Sequence, residues 1–244
     1  MKFLDGVEPI NFDEKEHKYT DKTGRELISV TTLIHLYQPI FDPTGEILIN
    51  KAIKEGVTPE ELRKQWDYER DAACERGTQA HKELEYWIDN GKIDKKGEYK
   101  DVVKQIKNIK FKGDLKSETI LWSKKYGIAG TCDLFDFYDS NQVDIWDLKT
   151  NKSIKKTSFF RRGQGFEMML PPIQHLQNAN FIVYSLQLSI YELLVEELGF
   201  WVNNKTLIYV TPKTKEVKLI PVLPLRKEAL AIIEHYHKNK NIIT

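Results

Sequence analysis

The sequence predicts an α/β fold in which a small mixed sheet is flanked by helices. Residues 117–122, 127–138 and 143–149 have strand character and are separated by turn residues, which predicts a meander. Helical periodicity precedes these runs and follows them. Sheet and helices of one chain bury their apolar faces against each other, so we expect helices packed on this sheet. We also expect β structure at the N terminus and strand–helix additions at the C terminus.

The N-terminal part has the pattern of short strands around turns. Residues 10–12 and 18–20 flank a charged stretch, and residues 21–24, Asp-Lys-Thr-Gly, provide turn chemistry. Extended character resumes at residues 27–30. We therefore predict a β-rich N-terminal extension over residues 1–43.

Residues 44–93 have a helical pattern. Pro59 suits the first turn of a helix and Asn90-Gly91 its end, while apolar residues recur at spacings of three, four and seven: Ala73, Ala80, Leu84, Trp87 and Ile88. A second helical stretch covers about residues 99–110. Both precede the predicted meander.

The chain after the meander begins with a polar, basic and irregular stretch at residues 150–172. Residues 176–198 predict one long amphipathic helix that ends at Gly199. Residues 207–211 and 217–221 predict a hairpin, and residues 225–237 a final helix. We expect a single domain with its core at residues 44–199 and a C-terminal hairpin and helix at residues 200–244.

The composition sets limits on function. The chain has 244 residues and a net charge of +1, so bulk charge does not indicate nucleic-acid binding. Two cysteines are too few for a disulfide framework or for the four thiolates of an iron–sulfur cluster, and they favour a reducing cytoplasm. No apolar run approaches the roughly 20 residues of a membrane helix. There is no P-loop, so we expect no motor within this chain.

The strongest chemical signal is a pair of carboxylates on adjacent strands. If residues 127–138 and 143–149 form a hairpin centred on Ser140, residues that face each other have numbers that sum to 280. Asp133 and Asp147 satisfy this sum. Lys149 shares a strand face with Asp147, because side chains alternate with period two. The three side chains should therefore project from one face of the sheet.

Two facing carboxylates need a positive group between them. Their Cβ atoms would lie roughly 4.5–5.5 Å apart, where like charges repel. Mg²⁺ binds oxygen ligands and often uses one or two carboxylates plus substrate phosphate. The alternative is an exposed acidic hairpin with a surface ion pair. Apolar neighbours such as Ile145 and Leu148 argue against it, because buried charges need partners or a metal.

Four ordered motifs resemble the PD-(D/E)XK nuclease superfamily, in particular its RecB-like, lambda-exonuclease-like branch. They are Arg-Gly-Thr-Gln-Ala-His at 76–81, Gly-Ile-Ala-Gly-Thr-Cys-Asp at 127–133, Asp-Leu-Lys-Thr at 147–150 and Gln-Leu-Ser-Ile-Tyr at 187–191. The branch includes CRISPR-associated and mitochondrial genome maintenance exonucleases. Residues 171–191 also resemble versions encoded by bacteriophages, which would place this protein in the host cytoplasm.

The resemblance implies roles for particular residues. His81, Asp133 and Asp147 would bind Mg²⁺ or Mn²⁺ together with the Leu148 carbonyl, and Lys149 would be the catalytic lysine. Gln187 and Tyr191 would line the site. The activity that the resemblance implies is hydrolysis of DNA, in the manner of the exonucleases of this branch. No iron–sulfur cluster is expected, because the cysteine set is missing, and any helicase or recombination protein would be a separate partner.

The supporting residues have simpler explanations that stay open. His81 shares a helix face with Gly77, where glycine allows close backbone approach, but a lone histidine is often structural. Gln187 and Tyr191 lie one turn apart, and they could equally be core packing with Tyr184. Glu118 could join the metal ligands, although glutamates at strand ends are usually solvated.

A basic loop follows the Asp147–Lys149 strand. We use this name for Lys155, Lys156, Arg161 and Arg162, which lie around Phe159 and Phe160. Cations beside aromatic rings suit a DNA backbone and stacked bases, but a charge run is often only a solvated surface. Three other functions stay open: a catalytically silent nucleic-acid-binding module, a structure-selective endonuclease and a metal enzyme acting on small phosphates.

Overall fold

A nine-stranded mixed sheet flanked by helices organises the computed structural model, which describes residues 2–4, 6–13, 16, 18–40 and 45–243. The strands are β1 (Lys2–Phe3), β2 (Asn11–Asp13), β3 (Lys18–Thr20), β4 (Glu26–Ser29), β5 (Asp114–Ser123), β6 (Ile128–Tyr138), β7 (Gln142–Lys149), β8 (Phe160–Arg161), β9 (Gly165–Phe166), β10 (Trp201–Val210) and β11 (Val217–Pro221). The helices are α1 (Val30–His35), α2 (Glu46–Glu55), α3 (Pro59–Asn90), α4 (Lys100–Lys107), α5 (Asn180–Glu197) and α6 (Arg226–Ile243).

The centre of the sheet is the predicted meander. β5, β6 and β7 pair antiparallel in sequence order, β10 pairs parallel with β7, and β11 pairs antiparallel with β10. The small hairpin β8–β9 forms a separate two-stranded sheet. The predicted mixed α/β architecture is confirmed. No helix in the described part of the chain is long and apolar enough to cross a membrane.

The helical region before the meander is divided where one stretch was predicted. Gly56 ends α2 in the left-handed conformation, with φ of +69°, which an L side chain rarely adopts. Thr58 then caps α3 in a capping box with Glu61, and Pro59 occupies its first turn as predicted. Gly91 ends α3, also as predicted. Thr44, the predicted start of this region, lies outside the described residues.

The N-terminal extension contains a helix that the strand pattern did not predict. Val30, which we expected to be extended, is instead the first residue of α1, because the Ser29 hydroxyl accepts a hydrogen bond from the backbone N–H of Thr32 and caps the helix. Three of the six α1 residues are buried. This short helix packs against α5 and α6.

The predicted amphipathic helix at residues 176–198 is wrong in two respects. α5 begins only at Asn180, because Met168 and Gln177 form a β-bridge just before it. It is also buried on nearly every side, because it packs against the sheet, α1 and α6 at once. A helix enclosed in this way has no continuous polar face.

The core lies on both faces of the sheet. One cluster joins α1, α5 and α6 to residues such as Cys132, Phe135 and Ile145. The other joins α3 and α4 to residues such as Leu134 and Trp146. Cys132 and Leu134 would share a face in a regular strand, yet they belong to opposite clusters. The alternation of β6 is therefore interrupted at Asp133.

β6 also lacks a strand partner along part of one edge. β5 pairs along most of β6 on one side, from Ile128 to Phe137. On the other side, β4 pairs with residues 128–129 and β7 with residues 134–138. Within the described chain, no strand pairs with residues 130–133 on that edge. We call these four residues, Gly-Thr-Cys-Asp, the strand gap.

Candidate active site

The hairpin of β6 and β7 has the predicted register. Its pairs, such as Leu134 with Trp146, have numbers that sum to 280, but the pairing ends there, one position before Asp133 and Asp147. Asp133 Oδ2 instead accepts a hydrogen bond of 2.7 Å from the backbone N–H of Leu148. Its carboxylate is thus directed towards the β7 backbone, and the strands separate at the strand gap.

Three potential metal ligands converge at this point. One ligand atom each from His81, Glu118 and Asp133 lies within 4.8 Å of the others. His81 Nδ1 is 3.1 Å from Glu118 Oε1 and 3.7 Å from Asp133 Oδ2. On the other side of the ring, His81 Nε2 is 3.2 Å from the Leu148 carbonyl oxygen. These four groups form the acidic cluster of the site.

Glu118 reaches the cluster through an unusual backbone conformation. In the β5–β6 register, paired numbers sum to 251, which places Glu118 opposite Asp133, but this one pair is missing from the ladder. Glu118 has a φ of +45°, which is rare for a residue other than glycine. Such outliers persist where the surrounding structure enforces them, often at functional sites. The conformation makes Glu118 a member of the cluster.

Helix α3 supplies His81 from above the sheet. Gly77, one turn earlier, lies against Thr150, and a Cβ added there would be 3.5 Å from Thr150 Oγ1. This is an ordinary contact distance, so the close approach that we predicted does not require glycine. Glu85, one turn later, forms an ion pair with Lys2 outside the cluster.

Asp147 and Lys149 form a buried pair beside the cluster. Asp147 is 1% exposed, and its Oδ2 lies 2.5 Å from Lys149 Nζ. This contact lacks the angles of a hydrogen bond, and neither Asp147 oxygen has a hydrogen-bond partner among the described residues. Asp147 does not join the group of three ligands. It contacts Lys149 instead of facing Asp133 directly.

Tyr184 completes the surroundings of Lys149. Its ring centre lies 4.9 Å from Lys149 Nζ, a distance suited to a cation–π contact. The sequence pattern indicates only core packing for Tyr184. The spacing in the sequence could have placed Tyr184 at the site. Tyr184, Gln187 and Tyr191 are three and four residues apart, so they share one face of α5.

Gln187 and Tyr191 support the strand gap. Tyr191 donates a hydrogen bond of 2.6 Å to the Thr131 carbonyl, which has no strand partner there. Gln187 is buried one turn earlier on the same helix, beside the Tyr191 side chain. Gly130 leaves room for this arrangement, since a Cβ there would lie 3.0 Å from Tyr191 Cε1. These residues hold the strand that carries Asp133.

The electrostatics reflect crowded carboxylates. Burial lowers the pKa of His81, but the carboxylates of Asp133 and Glu118 outweigh this effect. The pKa of His81 is therefore raised to about 9. Burial raises the pKa of Asp147, and the Lys149 ammonium opposes this effect. Burial lowers the pKa of Lys149, but Asp147 and Asp133 outweigh it, so the pKa is above its ordinary value. The ammonium therefore stays charged beside Asp147.

The residues present fit a divalent cation. The donor set of one imidazole, two carboxylates and a carbonyl suits Mg²⁺ or Mn²⁺, with the imidazole favouring Mn²⁺. Asp147, which is ion-paired with Lys149 through Oδ2, offers a further carboxylate nearby. With His81 neutral, the formal charges of Glu118, Asp133, Asp147 and Lys149 sum to −2, which a divalent cation would balance.

Cavities on both sides of α3 give access to this region. One of about 630 Å³ opens on His81, Glu118 and Thr131. Another of about 860 Å³ is lined by Thr150 and Asn151, which directly follow Lys149. Asn151 also lines a cavity of about 380 Å³ with Lys155 of the basic loop. The other loop cations, Lys156, Arg161 and Arg162, are exposed to solvent and lie outside the cluster.

Comparisons with known proteins add little to this geometry. No protein-family model matches the chain, and no curated protein does. The fold is similar to a Eubacterium rectale protein named "Putative exonuclease", with 14% identity and a TM-score of 0.47 over 96% of this chain and 87% of that chain. It is also similar to SSO0001, with 18% identity and a TM-score of 0.39 over 86% and 73%. Neither likeness is close enough to indicate a function.

Proposed function

We propose that this protein is a metal-dependent deoxyribonuclease of the PD-(D/E)XK superfamily that degrades DNA as an exonuclease. The observation that carries the proposal is the convergence of His81, Glu118, Asp133 and the Leu148 carbonyl, with Lys149 alongside. The four sequence motifs meet in this one region. The exonucleolytic mode rests on the resemblance to the RecB-like branch.

The cluster would hold the cation through His81, Glu118, Asp133 and the Leu148 carbonyl. When bound, Mg²⁺ or Mn²⁺ would supply Lewis-acid stabilisation of a phosphodiester and make a nearby water more acidic. Asp147 adds negative charge beside this set. Asp147 Oδ2 is ion-paired with Lys149, but Oδ1 is buried without a hydrogen-bond partner among the described residues, a cost that a cationic ligand would relieve.

Lys149 would act on the charge that develops during hydrolysis. Its ammonium is held between Asp147 and the Tyr184 ring, so its position is fixed before the substrate arrives. A fixed positive charge in a partly desolvated site stabilises negative charge on phosphate oxygens more effectively than one in water. The same group can orient an attacking water. We assign Lys149 to transition-state stabilisation.

Tyr191 and Gln187 are positioning residues in this scheme. The Tyr191 hydroxyl donates a hydrogen bond to the Thr131 carbonyl, two residues from Asp133, and Gln187 lies beside the Tyr191 side chain. Together they keep the strand gap in one conformation. Loss of either would move Asp133 relative to His81, and small displacements of this kind can strongly reduce turnover.

A polynucleotide substrate is favoured over a small phosphate by the basic loop. Lys155 lines a cavity together with Phe159 and Asn151. Asn151 is two residues after Lys149, so this cavity begins near the end of β7. Phe159 is 71% exposed, which suits stacking with a base. A chain of phosphates could thus extend from the cluster along the loop.

The decisive experiment is digestion of end-labelled linear DNA with Mg²⁺, with Mn²⁺ and with chelator. We expect cleavage only with a divalent cation, and its loss in the variants Asp133→Asn and Asp147→Asn. Asp144→Asn is the matched control, because Asp144 is a buried carboxylate on the same strand that pairs with Lys112 away from the cluster. Full cleavage by the Asp133 variant would overturn the proposal.

Two outcomes would replace the proposed function with another. DNA binding without cleavage under any metal would favour a catalytically silent module. Rapid nicking of covalently closed circles would favour a structure-selective endonuclease.

A further inference from the structure

A second concave basic surface lies near the C-terminal end of α3. A cavity of about 660 Å³ is lined there by Tyr86, Ile93, Asp94 and five lysines. We call this surface the lysine basin, and its lysines are Lys92, Lys95, Lys100, Lys104 and Lys107. None of these residues belongs to the candidate active site.

The sequence explains why the lysines converge. Lys100, Lys104 and Lys107 are spaced by four and three residues, so they share one face of α4. The opposite face, with Val102, Val103 and Ile106, is buried against α3 and the sheet. Lys92 and Lys95 belong to the connection between α3 and α4. The basin therefore forms between the end of α3 and the solvent side of α4.

The basin is strongly positive in a chain of nearly balanced charge. Lys104 pairs with Asp101 at 2.7 Å, whereas the other four lysines form no ion pair in the described part of the chain. The whole sequence has 37 basic and 36 acidic residues, so an even mixture is the ordinary expectation. Like charges on one helix face cost about 0.2–0.5 kcal/mol per pair. A concave wall also concentrates their potential, which favours a polyanionic ligand.

We propose that the lysine basin docks the phosphate backbone of double-stranded DNA. The identity of this polyanion rests on the proposed function. Ammonium groups bind phosphates as point charges and without sequence preference. Tyr86, 45% exposed, is the one aromatic ring in the wall. Unpaired strands are usually held by several stacked rings, so the basin suits a duplex backbone better.

The lysine basin and the acidic cluster open on different sides of α3. Tyr86 lies five residues after His81, about 8 Å further along the axis of α3 and about 140° around it. Lys100 and Lys107 are separated by about 10 Å along α4. Successive phosphates on one DNA strand advance about 3.4 Å along the duplex axis. The row of lysines on α4 therefore spans about three phosphate steps of one DNA strand.

The test replaces Lys92, Lys95, Lys100 and Lys107 together by glutamine. Binding of a fluorescent blunt duplex is measured by anisotropy at several salt concentrations, in chelator and without divalent cations. Four lost phosphate contacts should reduce the slope of log affinity against log salt by about 3.5. The matched control replaces four exposed lysines elsewhere, Lys54, Lys124, Lys125 and Lys227, none of which lines the basin. An unchanged slope, or an equal change in the control, would overturn the inference.

Two further arms separate this inference from its alternatives. Because binding is measured without a metal, loss of the salt slope would support the basin even if the protein cleaves no DNA. Equal weakening of a single-stranded oligonucleotide and the duplex would overturn the assignment to duplex. If tripolyphosphate raised the melting temperature through these lysines while duplex binding was unaffected, the basin would be a small-polyanion site instead.

Discussion

Metal-free protein should lose stability as the pH rises through the titration of His81. The pKa of this imidazole is about 9 in the folded protein and 6.5 without its surroundings. Protonation of His81 therefore stabilises the folded state. This contribution to stability is complete below about pH 6.5 and is lost above about pH 9. This difference corresponds to about 3 kcal/mol. Because 27% of the side chain is exposed, screening reduces the effect, and we expect a loss of about 2 kcal/mol.

The assay is urea unfolding in chelator at about pH 6 and about pH 9.5, for the wild type and His81→Gln. The variant lacks the titrating group, so its stability should change less over this interval, and other histidines contribute equally to both proteins. Adding Mg²⁺ should restore stability most at the higher pH, because the cation and the proton compete for the imidazole. Identical pH dependence in both proteins would refute the reasoning about the cluster.

Three further predictions concern the site and its substrate. Lys149→Met should lower turnover about 100-fold in single-turnover cleavage, while DNA affinity measured by anisotropy in chelator stays nearly constant. Equal loss of turnover and affinity would contradict a transition-state role for Lys149. Gly130→Ala should cost about 1–3 kcal/mol in unfolding experiments, because its Cβ would collide with Val30 and Tyr191. A neutral result would mean that the strand gap is loosely packed. Linear DNA should be degraded and closed circles spared; comparison of the two on gels decides this.

The meander and its register could be predicted because turn residues and strand alternation are local signals. Residues 139–141 fixed the centre of the β6–β7 hairpin, and the sum of 280 followed from it. The same arithmetic applied to the turn between β5 and β6 would have placed Glu118 opposite Asp133. That turn contains Lys124, Lys125 and Gly127, which leave its centre ambiguous in the sequence alone.

The details of the site could not be predicted because they depend on interruptions of regular structure. A continuous ladder would place Asp133 directly across from Asp147, as we expected. The strands instead separate, and Asp133 binds the Leu148 N–H while Asp147 contacts Lys149. The left-handed conformation of Glu118 likewise has no local sequence signal, since no glycine or asparagine marks it. Tertiary packing decides both features.

The pairing of β4 with β6 has a consequence for any shortened form of the protein. A chain that began at residue 44 would lack β4 and α1, and the edge of β6 would be uncovered from Ile128 to the strand gap. Uncovered strand edges present unpaired N–H and C=O groups that template pairing with other chains. Such a fragment would aggregate through this edge even if every residue of the acidic cluster were retained. In the full chain, β4 covers this part of the β6 edge.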